Sequence, residues 1–229
     1  MKRNKFTALT VVALVLAFAL SGCASKKPAS VRPELLEGQG YSTVNNNLHQ
    51  IDGPAPGKDA AMAFRVYRSG APDKETFAKW CREYKIKRVI VLAGDAGAHE
   101  IQYQKEGVCP DIQVLYNVTQ VVSDPPGDKF LQLFDQMIEQ AKKDQVGILL
   151  RCQTGSHRAG RTAAYYQMKY QGLSAEEAIA IMNYNGMMMP MFDKELEPEV
   201  RAMYDYIHDK PCSQPEKYCI AKNSNKYMP

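Results

Sequence analysis

The stretch that most constrains this chain is Val146-Gly147-Ile148-Leu149-Leu150-Arg151 followed by Cys152-Gln153-Thr154-Gly155-Ser156-His157-Arg158. Its first part is a short apolar burst of the kind that becomes a buried strand. Beyond it, Ala159-Gly160-Arg161-Thr162 leads into Ala163, Ala164, Gln167, Met168 and Lys169, which are good helix formers. A cysteine therefore stands at the carboxyl end of a strand, in a turn whose amides feed a helix start. Consecutive backbone N–H groups in such a turn make an anion cradle, and the helix N-terminus adds partial positive charge. A field of that sign favours thiolate over thiol. Arg158 adds a planar fork that matches two phosphate oxygens. Nucleophile, oxyanion cradle and guanidinium clamp fall within seven residues. The plainer alternative is a structural cysteine in a glycine-containing turn.

Cys152 to Arg158 resembles the Cys-x-x-Gly-x-x-Arg signature of the cysteine-dependent phosphatases, the protein tyrosine phosphatase superfamily. The resemblance implies Cys152 as nucleophile, Gly155 as the glycine of close approach and Arg158 as the phosphate-binding arginine. It makes Gln153, Thr154, Gly155, Ser156, His157 and Arg158 the substrate-binding loop. The implied fold is α/β, a central mostly parallel sheet flanked by helices, and the implied chemistry uses no cofactor. Two positions depart from the family pattern. Arg151 stands where His is usual, which bears on the tuning of the thiol. Ala159 replaces the usual Ser or Thr, whose hydroxyl helps release the thiolate when the phosphocysteine hydrolyses.

Thiolate attack on a phosphate monoester needs a group that protonates the departing oxygen, and a carboxylic acid does this. In the family that acid is an Asp on a loop upstream of the signature, followed by a helix and the strand leading to the nucleophile. Asp124, in Ser123-Asp124-Pro125-Pro126, fits this order. Asp128 is the rival, but its place before an amphipathic run reads as a helix cap. That run, with Phe130, Leu131, Leu133, Phe134, Met137, Ile138 and Ala141 at helical spacing, is the clearest helix in the chain.

Composition fixes the setting. The formal net charge of +4 is partly owed to the amino terminus and points to no nucleic-acid partner. Arg151, His157, Arg158 and Arg161 cluster around the loop without an acidic neighbour in sequence, which suits a polyanionic substrate. Lys2, Arg3 and Lys5 precede an apolar stretch from Phe6 to Leu20 that is too short for a confident membrane span. Leu20-Ser21-Gly22-Cys23 resembles a bacterial lipoprotein box, which implies a chain lipidated at Cys23, exported and membrane-tethered. Ala24 after that cysteine implies an outer-membrane address facing the periplasm. Export permits disulfides. Cys212 and Cys219 are the first candidates; Cys81 reads as a core residue, with Cys109 as its alternative partner. No Cys/His spacing suits a metal.

The expected organisation is a signal segment over 1–22, a tether and irregular stretch over 23–60, a phosphatase domain over 61–210 and a peripheral tail over 211–229. Strands are expected over Met62–Tyr67, Ile86–Leu92 and Ile112–Val118, with Arg68-Ser69-Gly70 as a turn. Tyr67 to Pro72 resembles the opening of bacterial dual-specificity-like phosphatases, and Arg68 reads as a rim residue of the phosphate site or a solvated strand end. Asp73 caps a helix with Phe77, Trp80, Cys81 and Tyr84 on one face. Gly172 stops the helix after the signature, and Ser174 to Glu177 is a capping box. Met187 to Met191 read as gap fillers under a loop.

The function expected is phosphate monoester hydrolysis through a phosphocysteine. The basic loop leans it toward inositol polyphosphates, as in the phytase-like branch. The alternatives are a protein tyrosine or dual-specificity phosphatase and a catalytically weak phosphate-binding module. A rhodanese-type sulfurtransferase also places a cysteine in an anion loop, but the Gly-x-x-Arg spacing argues against it.

Overall fold

The computed structural model of the chain describes residues 32–54, 63–93, 98–186 and 191–229. The expected signal segment, Cys23, and Met187 to Pro190 lie outside these ranges. Five strands form one sheet in the order β1-β2-β5-β3-β4. These are β1 (His49–Asp52), β2 (Arg65–Ser69), β3 (Ile86–Val91), β4 (Gln113–Asn117) and β5 (Gly147–Arg151). β2, β5, β3 and β4 run parallel, and β1 closes the edge antiparallel to β2. Parallel neighbours need long crossovers. Helices α1 (Lys74–Glu83), α2 (Ala98–Lys105) and α3 (Asp128–Lys143) supply them, and α4 (Arg158–Gln171), α5 (Ala175–Tyr184) and α6 (Asp193–Ile207) follow β5. This is the α/β architecture expected from the sequence.

The position of β5 explains its composition. It lies between β2 and β3 with all five residues buried. Side chains alternate across a strand, so Ile148, Leu150 and Cys152 enter the core with Phe130, Phe134, Ile138 and Val200, while Leu149 enters the opposite core with Phe77, Trp80 and Val89. A strand covered on both faces is apolar along its length; the exception at its end, Arg151, is paired with Glu100. The larger core takes the apolar face of α3 and the inward residues Leu196, Val200 and Met203 of α6, each worth roughly 1.5–3 kcal/mol of burial. Gly172 ends α4 in the left-handed region, and Ser174 and Glu177 form the capping box of α5.

Several local expectations change. β2 runs through Arg68 and Ser69 rather than turning there, because both residues pair with β5 and Arg68 also pairs with β1. Residues 32–54 are not merely irregular: they supply the edge strand and the loop before it. Cys81 is no core thiol but is joined to Cys109, and Cys212 is joined to Cys219 as expected. The first bridge ties α1 to the approach of β4 across a separation of 28 residues, worth about 3–4 kcal/mol by loop-closure entropy. Met191 is exposed rather than tucked under a loop. Among the described residues no helix is long and apolar enough to cross a membrane.

Candidate active site

Cys152 is buried at the end of β5, and its N–H donates to the Ser69 carbonyl at 3.3 Å. The chain then turns through Gly155, whose φ is +74°. A Cβ at Gly155 would lie 2.6 Å from both the Gly70 nitrogen and the Ser69 carbonyl carbon. Only glycine meets both the dihedral and the space. The loop thus lies directly on residues 69–71, with Ala71 N–H donating to Gln153 O at 3.0 Å and Gly70 bridged to Thr154.

Arg68 sits beneath this turn. Its Nη2 donates to the carbonyls of Gly155 at 2.5 Å and Ser156 at 3.3 Å. In a trans peptide the carbonyl and the following N–H point in opposite directions. Anchoring these two carbonyls therefore turns the N–H groups of Ser156 and His157 away from Arg68. Gly160 leaves room for the guanidinium, since a Cβ there would lie 3.2 Å from Nη2. Burial pulls Arg68 down to about 10, opposed by its attraction to Cys152, so it remains a cation at neutral pH. Arg68 is neither a rim residue nor solvated: it is buried under the loop.

The amino-terminal segment adds a support that no motif announced. Asn47 is buried; its Nδ2 donates to Thr154 O at 3.2 Å and to Asn185 O at 2.9 Å. His49 Nε2 lies 2.9 Å from Asn47 Oδ1, and Gly70 N–H donates to Asn46 O at 2.7 Å. Burial, aided by the nearby Arg68 charge, pushes His49 down to about 4, which keeps it neutral at pH 7.

The basic cluster expected from the sequence is largely neutralised inside the protein. Arg151 is fully buried and paired with Glu100 of α2, its Nε donating to Oε1 at 2.6 Å and its Nη2 to Oε2. Arg161 is buried and paired with Glu199 of α6. Both carboxylates are distant in sequence from the signature, which is why the cluster looked uncompensated. Burial pushes the Glu199 carboxyl up to about 6 against the pull of Arg161. Half-buried His157 packs edge-on against Phe192, with ring centres 4.4 Å apart. Gln153 is exposed and Ala159 is fully buried in the larger core.

The loop after β4 is brought against the signature. Arg158 Nη1 donates to Gln120 O at 3.3 Å. Arg161 Nη1 donates to Asp124 O at 3.0 Å and Val122 O at 3.3 Å, while its Nη2 donates to Gln120 Oε1 at 3.0 Å. Arg161 is therefore a scaffold of the Asp124 loop rather than a ligand for substrate charge. The Asp124 carboxylate accepts from Tyr227 Oη at 2.8 Å and is ion-paired with Lys226. Burial pushes that carboxyl up, but the bonds from Lys226 and Tyr227 and the charges of Lys226 and Arg161 outweigh it and hold the carboxyl below its ordinary range. A carboxylate held this way favours docking of the tail at neutral pH, and that contribution is lost as pH falls through the lowered value.

Asp128 is not the cap of α3. Gly127 occupies the cap position, and the Asp128 carboxylate instead accepts N–H bonds from Asn223 and Ser224, each at 2.9 Å. The tail is thus no appendage. Among the described residues no cluster of His, Cys, Asp and Glu is arranged to hold a metal.

No protein-family model and no curated protein sequence matches the chain. Solved structures do. TpbA of P. aeruginosa is 18% identical, with 74% of this chain covering 95% of that one at a TM-score of 0.53. PTPMT1 in complex with PI(5)P is 15% identical, with 71% of this chain covering 97% of that one at a TM-score of 0.52. The fold is that of the tyrosine and dual-specificity phosphatases.

Proposed function

We propose that this chain, which has the fold of the cysteine-dependent phosphatases, hydrolyses phosphate monoesters through a phosphocysteine. The observation that carries the reading is the loop itself. Cys152 ends a buried strand, Arg158 opens a helix, and Arg68 fixes the carbonyls between them so that the following N–H groups turn the other way. Amides and a guanidinium arranged around a thiol stabilise an oxyanion that develops on phosphorus. Cys152 Sγ attacks phosphorus, Arg158 holds two non-bridging oxygens, and Asp124 gives its proton to the ester oxygen as the P–O bond breaks. Water then cleaves the S–P bond, with Asp124 accepting a proton. Gln153 to His157 supply the cradle.

The structural relatives include a protein solved with PI(5)P, which supports a phosphorylated small molecule as the substrate class. The finer reading, an inositol polyphosphate, rests on surplus charge at the loop. Arg158 and His157 keep that role, while Arg151 and Arg161 are spent on Glu100 and Glu199. A phosphotyrosine-type substrate asks for less charge and gains from this. Lipidation at Cys23 would put the site at an envelope membrane surface.

Asp124→Asn tests the acid role. It should lower turnover by roughly 10²–10⁴-fold for phenyl phosphate and far less for p-nitrophenyl phosphate, whose leaving group needs no proton. Equal losses on both substrates would assign Asp124 a structural role only. Phosphate release from phosphotyrosine peptide, inositol hexakisphosphate and phosphoinositides then ranks the substrate classes.

A further inference from the structure

The segment after the Cys212–Cys219 bridge spans the whole acid loop. At one end, Tyr227 Oη accepts from Val121 N–H at 3.0 Å and donates to Asp124, while Tyr227 O accepts from Tyr116 Oη at 2.7 Å. At the other, the Asp128 carboxylate holds the backbone of Asn223 and Ser224, Asp128 N–H donates to Ala221 O, and Lys129 Nζ donates to Asn225 Oδ1 at 2.9 Å. Gly127 admits this approach, since a Cβ there would lie 2.7 Å from Ser224 Oγ. Between these anchors, Lys226 and Tyr227 take both oxygens of Asp124.

We propose that Lys226 and Tyr227 are positioning residues for the Asp124 acid, strapping its loop and setting the pH range over which its carboxyl can donate a proton. The proposal rests on the phosphatase reading above. A general acid works only in its protonated form. An adjacent ammonium favours the charged carboxylate and so opposes that form. The other charged groups facing Asp124 are Arg161 of α4, which holds its backbone carbonyl, and Glu199 of α6, which neutralises Arg161. Lys226 is thus the cation in direct contact with the carboxylate. The strap keeps the acid in place and confines donation to lower pH.

The test is the pH dependence of kcat/KM for phenyl phosphate with the full chain. Activity that needs protonated Asp124 falls as pH rises through its titration, so removing the ammonium moves this alkaline limb upward. Lys226→Met should shift it up by about 1 pH unit or more. Lys226→Arg should leave it near the unsubstituted position, and Tyr227→Phe should shift it the same way by less. An unmoved limb in both Lys226→Met and Tyr227→Phe, with Asp124→Asn abolishing the limb, would overturn the strap while leaving the acid intact. A limb that survives Asp124→Asn overturns the acid assignment and the strap with it. Loss of all activity in Cys152→Ser, measured in parallel, keeps either failure separate from that of the phosphatase reading.

Discussion

Cys152→Ser should abolish phosphate release from p-nitrophenyl phosphate, by at least about 10⁴-fold, while phosphate or vanadate binding survives. The separation follows from how the loop is built. Its shape is fixed by Arg68 beneath, by Gly155 against Gly70 and by Asn47 at Thr154, none of which uses the sulfur. Replacing sulfur with a hydroxyl removes the nucleophile and keeps the cradle. Calorimetric titration with the oxyanion, beside phosphate-release assays, reads both halves. Undiminished hydrolysis would exclude a phosphocysteine; lost binding with lost hydrolysis would mean that the sulfur also shapes the loop.

Glu199→Gln should destabilise the protein by about 3–5 kcal/mol, because it leaves the Arg161 guanidinium buried without its counter-charge. Both side chains are inaccessible to solvent, so water does not replace the lost carboxylate. Arg161 also gathers Gln120, Val122 and Asp124, so the damage should extend to the Asp124 loop. Urea unfolding gives the first effect; the leaving-group dependence of turnover gives the second. Replacing both residues with apolar ones should recover much of the stability but not the loop, since a hydrophobic pair fills the space and makes none of the carbonyl bonds. If Glu199→Gln unfolds with an unchanged midpoint, the pair is not holding this end of the fold.

What the sequence disclosed was local. The apolar run from Gly147 to Leu150 in β5, the helix formers after Gly160 and the spacing from Cys152 to Arg158 each act within a few residues, and each is readable without knowing what lies opposite. The face of α3 and the stop at Gly172 are of the same kind. What stayed hidden was long-range pairing. Nothing near Arg151 or Arg161 in the chain announces Glu100 or Glu199, so four basic residues read as a cluster suited to a polyanion when two of them are internal and paired. Asp128 has the residue type and position of a cap, yet the nearby backbone of the tail competes for its carboxylate and wins. Cys81 sits at helical spacing with Phe77 and Trp80, so periodicity placed it in the core, while its bond to Cys109 depends on how α1 meets the approach to β4. Asn47 lies in a polar run with the composition of a turn. Its importance comes from the Thr154 carbonyl, which no local pattern reveals.

The arrangement of sulfur has a practical consequence. Four cysteines are consumed in two bridges, and Cys152 is the free cysteine among the described residues. In a form of the protein produced without residue 23, a small alkylating reagent therefore has one target per folded molecule. The fraction protected by a bound oxyanion then counts intact Cys152–Arg158 loops directly, independent of any turnover number. A preparation in which mispairing has drawn Cys152 into a bridge would still be alkylated once, but at another cysteine and without protection by the oxyanion.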